Sequence, residues 1–377
     1  MSIVVPYADL TNEQKKIVSE STDKRLSYWI DGPPGSGKTT ISLHIANMIV
    51  GQQVVTPLVL IYNNSLSGYL KSSFKELGLE DNVTIATKDK FFWNLAEQKG
   101  VKVPYTKDYL KRYSDTLEAL LKTELIKTYD IAILDEIQDF QKGEWEVLKK
   151  LVTRFIVLGD FDQGIYKTNL GKADLNETCH SRMLEKIFRF SRSLAGLLAA
   201  LNPLRKDLQN KVDRESDVQP VIIDTSEADV NEKIRTFINA RKADGGRIAA
   251  ITIGRARLKQ LHDYLEQRGV EHFYTDKNQE YKDHDFAQNT PVLLTAASAK
   301  GLEFETVIAF GFEDHDKAVW SFRTYGGLME NLYVCLSRAK EYLYIIRTPN
   351  TIPEIKKLIV ETPDSANATD DDDDDFF

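Results

Sequence analysis

Residues 32–39 read Gly-Pro-Pro-Gly-Ser-Gly-Lys-Thr, an order and set of types suited to holding phosphate. Gly32, Gly35 and Gly37 let the backbone curl so that successive N–H groups point inward at phosphate oxygens. Lys38 can reach the outer phosphates, and the Thr39 hydroxyl is placed for Mg2+. Pro33, Ser36 and Thr40 complete the candidate nucleotide-binding run. About 100 residues further on, Asp135-Glu136-Ile137-Gln138-Asp139 follows an apolar stretch. A buried strand ending in Asp-Glu is what nucleotide hydrolysis needs: Asp135 can hold Mg2+ through its water shell, and Glu136 can orient and deprotonate the attacking water. A third cluster, Gly159-Asp160-Phe161-Asp162-Gln163, also follows an apolar stretch. Gln163 could touch the terminal phosphate from one side and a bound polymer from the other, although read alone the cluster is a turn rich in Gly and Asp.

Such groups must be positioned, and the surrounding sequence says how. Apolar runs at 26–30, 58–62, 83–86, 131–134 and 155–158 read as strands, with amphipathic helical stretches between them. The pattern restarts with strand-like runs at 221–223, 248–253, 292–295, 307–310 and 342–346, and helix-like stretches at 227–242, 255–268 and 330–338. Strands alternating with helices imply parallel sheets covered on both faces, with ligands beyond the carboxyl ends of the strands. The expected fold class is therefore α/β, in two parallel-sheet units. We place the first at residues 1–200, with a short helical insertion near 100–127, and the second at 201–360. The polar stretch 202–219, with a Pro at either end, serves as a connector.

Composition bounds the setting. The content is 42% hydrophobic and 28% charged, enough for real cores in a soluble chain. No apolar run approaches the ~20 residues a membrane helix needs, and no signal-like segment begins the sequence. Only Cys179 and Cys335 are present, so a reducing cytoplasm and no disulfide framework are expected. The net charge of −8 is concentrated: residues 361–377 hold eight acids and no Lys or Arg, which leaves the body neutral. This segment reads as a disordered acidic tail, ending Asp370–Asp375, Phe376, Phe377.

Taken in order, these segments resemble the UvrD/Rep-type superfamily 1 DNA helicases, in a compact form lacking large accessory subdomains. The likeness covers nearly the whole chain before the tail. Thr11 and Gln14 are similar to the family's adenine-reading motif, which would set Gln14 on the base edge; the same residues also fit a helix capping box. The three clusters above resemble motifs I, II and III. Ile187-Phe188-Arg189 resembles motif IV, which implies Phe188 stacked on adenine and Arg189 at the γ-phosphate, with Arg192 close enough to take that role instead. Ser298–Phe304 (Ser-Ala-Lys-Gly-Leu-Glu-Phe) resembles motif V, bringing in Gly301 and setting Glu303 on the ribose. Residues 330–340 resemble motif VI, with Arg338 as a second arginine finger. The resemblance thus implies two RecA-like domains that close on ATP and Mg2+ and step along a single strand. Tyr62 and Asn63 resemble motif Ia and Thr87–Trp93 resembles motif Ib, so Tyr62, Asn63, Phe92 and Trp93 become candidate strand contacts; each aromatic could equally be core.

Three departures count against a processive helicase. Lys167-Thr168-Asn169 stand where the family often has a base-stacking Trp, Ala297 replaces a common His, and the spacings leave little room for strand-splitting insertions. The expected activity is ATP-dependent translocation on single-stranded DNA, 3′→5′, by a monomer in replication, repair or recombination; RNA as the track stays open. The rival is a nucleotide-switched adaptor that recruits a partner without moving. The Phe-tipped tail resembles those of single-strand-binding proteins. It is expected to recruit a replication or repair protein or to lie in the nucleic-acid groove as a phosphate mimic.

Overall fold

The computed structural model describes all residues except 1–3, 24, 53–54, 63, 162–168, 190, 202–205, 215–219, 278–279, 282–283, 287 and 360–377. Asn63, Gln163 and the tail therefore lie outside the described residues.

Two parallel sheets organise the chain. The first contains β1 (Tyr28–Asp31), β2 (Leu58–Ile61), β3 (Thr84–Thr87), β4 (Tyr129–Leu134), β5 (Val152–Gly159) and β6 (His180–Met183), in the order β3-β2-β4-β5-β1-β6. The second contains β7 (Val221–Asp224), β8 (Ile248–Thr252), β9 (Val292–Thr295), β10 (Phe304–Ala309) and β11 (Ala339–Arg347), in the order β7-β11-β10-β8-β9. Alternation along the strands fills a core on each face. In β4, Ile131 and Ile133 enter one cluster while Ala132 and Leu134 enter the other; β5 repeats this with Ile156 and Leu158 against Phe155 and Val157. In the second sheet, Ala249, Ile251, Val307 and Ala309 face one side, and Ile248, Ala250 and Ile308 the other. Because every pairing is parallel, the carboxyl ends of the strands share one edge of each sheet.

The division at residue 200 needs correction. The helix Arg192–Leu201 sends Leu194, Leu197, Leu198 and Leu201 into the same cluster as Val307 and Leu332, so it packs on the second sheet. A fully buried leucine contributes roughly 1.5–3 kcal/mol, which sets where this helix docks. The connector is also more than a linker: Leu208 and Val212 join that cluster, and Val212 bridges to Ile187. Strand β6 has no apolar run to announce it; His-Ser-Arg-Met is held at the sheet edge by its pairing with β1, Tyr28 opposite His180.

Candidate nucleotide site between the two domains

The turn from β1 into the helix Lys38–Gln52 makes the phosphate loop. Gly35 and Gly37 have φ of +77° and +86°, which disfavour any residue with a Cβ. A Cβ on Gly35 would come 2.5 Å from Arg189 Cβ, so space as well as torsion requires glycine there, while one on Gly37 would displace the Gln14 amide 2.6 Å away. Both ends of the Gln14 amide are engaged within the chain. Its Oε1 accepts from Thr11 N at 3.0 Å, closing the capping box, and its Nε2 donates to Ser36 O at 3.1 Å. It braces the loop.

Within the loop, Lys38 Nζ donates to Gly32 O at 2.7 Å and to Pro33 O at 3.1 Å. Burial lowers its pKa, opposed by the nearby Asp160, Glu136 and Asp135. Thr39 Oγ1 donates to Asp135 Oδ2 at 3.2 Å. Two oxygens about 3 Å apart match adjacent corners of a Mg2+ octahedron with bonds of about 2.0–2.1 Å, so this pair fits the ion. Burial and the charge of Glu136 push the Asp135 carboxyl up to about 7, a shift that a divalent cation beside it would reverse.

Glu136 follows immediately, with a φ of +54°, the one non-glycine residue with positive φ among those described. Such a conformation costs about 1–3 kcal/mol and concentrates at working sites. Burial alone would raise its pKa, but Lys300, Lys38 and Arg338 outweigh it and hold the carboxylate ionised. Gln138 Nε2 donates to Glu136 Oε2, while Gln138 Oε1 accepts from Asp160 N at 3.0 Å, so this glutamine fixes both the carboxylate and the loop after β5.

The second domain supplies the opposite wall. Pro34, Gly35, Gly37, Lys38, Thr39, Thr40, Asp135 and Glu136 line one cleft together with Arg189, Gly301, Glu303 and Arg338. Arg338 is 2% exposed, yet its donors reach only neutral acceptors: Val334 O at 3.3 Å, Leu302 O at 3.5 Å and Ser337 Oγ at 2.9 Å. Burial brings its pKa down to about 10. Arg189 donates to Ser337 O at 3.1 Å and to Glu303 Oε1, while its Nε is buried with no hydrogen bond; Ser36 Oγ in the phosphate loop is in the same condition. Buried cations and unsatisfied donors around one space fit a polyanion. The cleft opens into a larger one lined by Tyr69, Arg247, Leu302, Glu305 and Tyr342 and sharing Thr39, Thr40, Gly301 and Glu303 with the first.

Other sequence candidates fall elsewhere. Phe188 is half-buried, lines neither cleft, and is tied to the phosphate loop by its N–H to Gly35 O at 2.9 Å. Phe92 must be corrected: it has 0% exposure and packs in the core beside Phe91, so it has no face to offer a base. Trp93 is covered by the insertion helix Tyr109–Leu121, with Arg112 5.0 Å over its ring and Tyr113 at 5.6 Å. Tyr62 stands at the domain junction, 5.6 Å beneath Lys300 Nζ. Lys300 has a position in the site that its residue type alone does not announce. It is 1% exposed, pairs with the buried Asp139 of the first domain, and lies 3.9 Å from Glu136. Its place within the motif V stretch was the available signal.

Comparison with known proteins adds one match: a family model described as the viral superfamily 1 RNA helicase core domain covers residues 28–347. No curated protein matches the chain. The matched span includes both sheets and every cleft residue named above, and it supports a superfamily 1 core without singling out the UvrD/Rep branch. On that span, the chain belongs to the viral superfamily 1 RNA helicase core domain family.

Proposed function

We propose that this protein is an ATP-driven motor that moves 3′→5′ along single-stranded DNA. The observation that carries the reading is Arg338: a buried guanidinium bonded only to neutral acceptors, facing Lys38, Thr39 and Glu136 from the other domain. In this reading Lys38 and the loop amides bind the β- and γ-phosphates, and Glu136 takes the proton of the attacking water. Thr39 and Asp135 would hold Mg2+, which would neutralise charge on the phosphates. Arg338 and Arg189 stabilise the transferring phosphoryl group only while the domains are closed, which couples hydrolysis to domain motion. Gln163 senses the γ-phosphate, Glu303 holds the ribose, and Phe188 reaches adenine after rearrangement. Tyr62 and Asn63 remain proposed strand contacts.

The matched family, an RNA helicase core, favours a second reading in which the track is RNA. Translocation tests both. Single strands carrying a fluorophore at either end should show a 3′→5′ arrival signal that requires ATP. A signal on RNA alone would select the second reading, and ATP turnover without movement on either polymer would leave the nucleotide-switched adaptor.

A further inference from the structure

The second domain holds a side-chain cluster that nucleotide chemistry does not use. The helix Arg255–Glu266 places His262 and Glu266 one turn apart on one face, close to its carboxyl end, where the helix dipole favours a cation. The chain turns at Gly269, whose φ is +62°, and brings His272 back to the same point. His262 Nδ1 then lies 2.8 Å from His272 Nε2, and one ligand atom from each of His262, Glu266 and His272 lies within 4.8 Å of the others.

Both rings are already oriented. His272 Nδ1 donates to Val270 O at 2.7 Å, which fixes its tautomer and leaves the Nε2 lone pair facing the cluster. This is the arrangement that orients metal-bound imidazoles. His262 is stacked on Tyr274 with centroids 4.6 Å apart. With His272 Nδ1 donating to Val270 O, a neutral pair places the proton between the rings on His262 Nδ1. Moving it to His262 Nε2 frees both facing nitrogens without changing the charge. Two imidazoles bound to one tetrahedral ion at about 2.0–2.1 Å have nitrogens about 3.3 Å apart, so opening the present contact by half an ångström is enough.

We propose that His262, Glu266 and His272 form a binding site for a divalent transition metal of the Zn2+ class, with water completing the coordination. Two imidazoles and a carboxylate select such an ion over Mg2+ or Ca2+. The site is structural. His272 precedes Phe273, whose N–H donates to Pro291 O at 2.8 Å and whose carbonyl accepts from Leu293 N at 2.9 Å. A bound ion would thus staple the helix end to the β9 edge of the second sheet. None of the three residues lines the inter-domain clefts, so the proposal stands independently of the nucleotide reading.

The test is titration of the full chain with Co2+ followed by Zn2+, in excess Mg2+ so that oxygen-only sites and the acidic tail are already occupied. One Co2+ per chain is expected, with the visible absorption of a four-coordinate nitrogen–oxygen site, displaced by Zn2+ and accompanied by a higher melting temperature. His272→Ala should weaken binding about tenfold or more. Glu266→Gln changes an exposed residue and spares the fold; it should weaken binding by a smaller, measurable factor and leave ATP turnover unchanged. Absence of the Co2+ spectrum, or equal affinity in the unaltered chain and both variants, would overturn the proposal.

Discussion

Replacing Arg338 by Gln separates a structural arginine from one that serves the phosphates. The guanidinium is buried with no carboxylate among its hydrogen bonds, and its pKa falls to about 10. At 1.36 kcal/mol per tenfold change in proton affinity, the fold disfavours this charge by about 3 kcal/mol. Glutamine keeps donors for the Leu302 and Val334 carbonyls and removes the charge. The loss of hydrogen bonds, about 1 kcal/mol each, is then offset by relief of the buried cation. We therefore expect the melting temperature without nucleotide to stay level or rise. Turnover of ATP should fall about a thousandfold or more, the usual contribution of an arginine finger. The added stability that ATP gives the unaltered protein should shrink as well, since that stabilisation follows affinity. Thermal melts with and without nucleotide, beside steady-state phosphate release, read all three. A protein that melts far lower yet keeps turnover within tenfold would make Arg338 a packing residue.

Glu136→Gln should abolish turnover while ATP binding, followed with a fluorescent analogue, is kept or strengthened; full turnover would remove Glu136 as the base. Lys300→Met leaves the buried Asp139 without its cation and should destabilise by about 3–5 kcal/mol in denaturant melts, with Asp139→Asn in the same chain restoring part of it. Additive losses would show that the cross-domain pair contributes nothing. Phe92→Ala should cost about 3–5 kcal/mol through a core cavity, with strand affinity of the folded protein unchanged. Weakened strand binding at unaltered stability would reinstate the stacking role.

Most of this architecture was legible because chemistry and periodicity coincide in the sequence. The phosphate loop and the Asp135-Glu136 pair each follow an apolar run that became β1 or β4, and parallel pairing then brings both to one sheet edge. What escaped depends on long-range contacts. The edge strand β6 is polar and exists through its pairing with β1. The helix Arg192–Leu201 reads as amphipathic whichever sheet it covers, and only the fold shows which. Phe92 and Phe91 are adjacent and alike in type, yet helix phase buries one of them completely. Lys300 gains meaning only when the second domain lays it against Asp139, 161 residues away.

If this cleft hydrolyses ATP in response to a single strand, steady-state ATP turnover measured alone and then with single-stranded DNA, duplex DNA and single-stranded RNA will show it. Strong stimulation by single-stranded DNA, with little from duplex, is the expected result. Turnover that stays low and equal under all four conditions would contradict it.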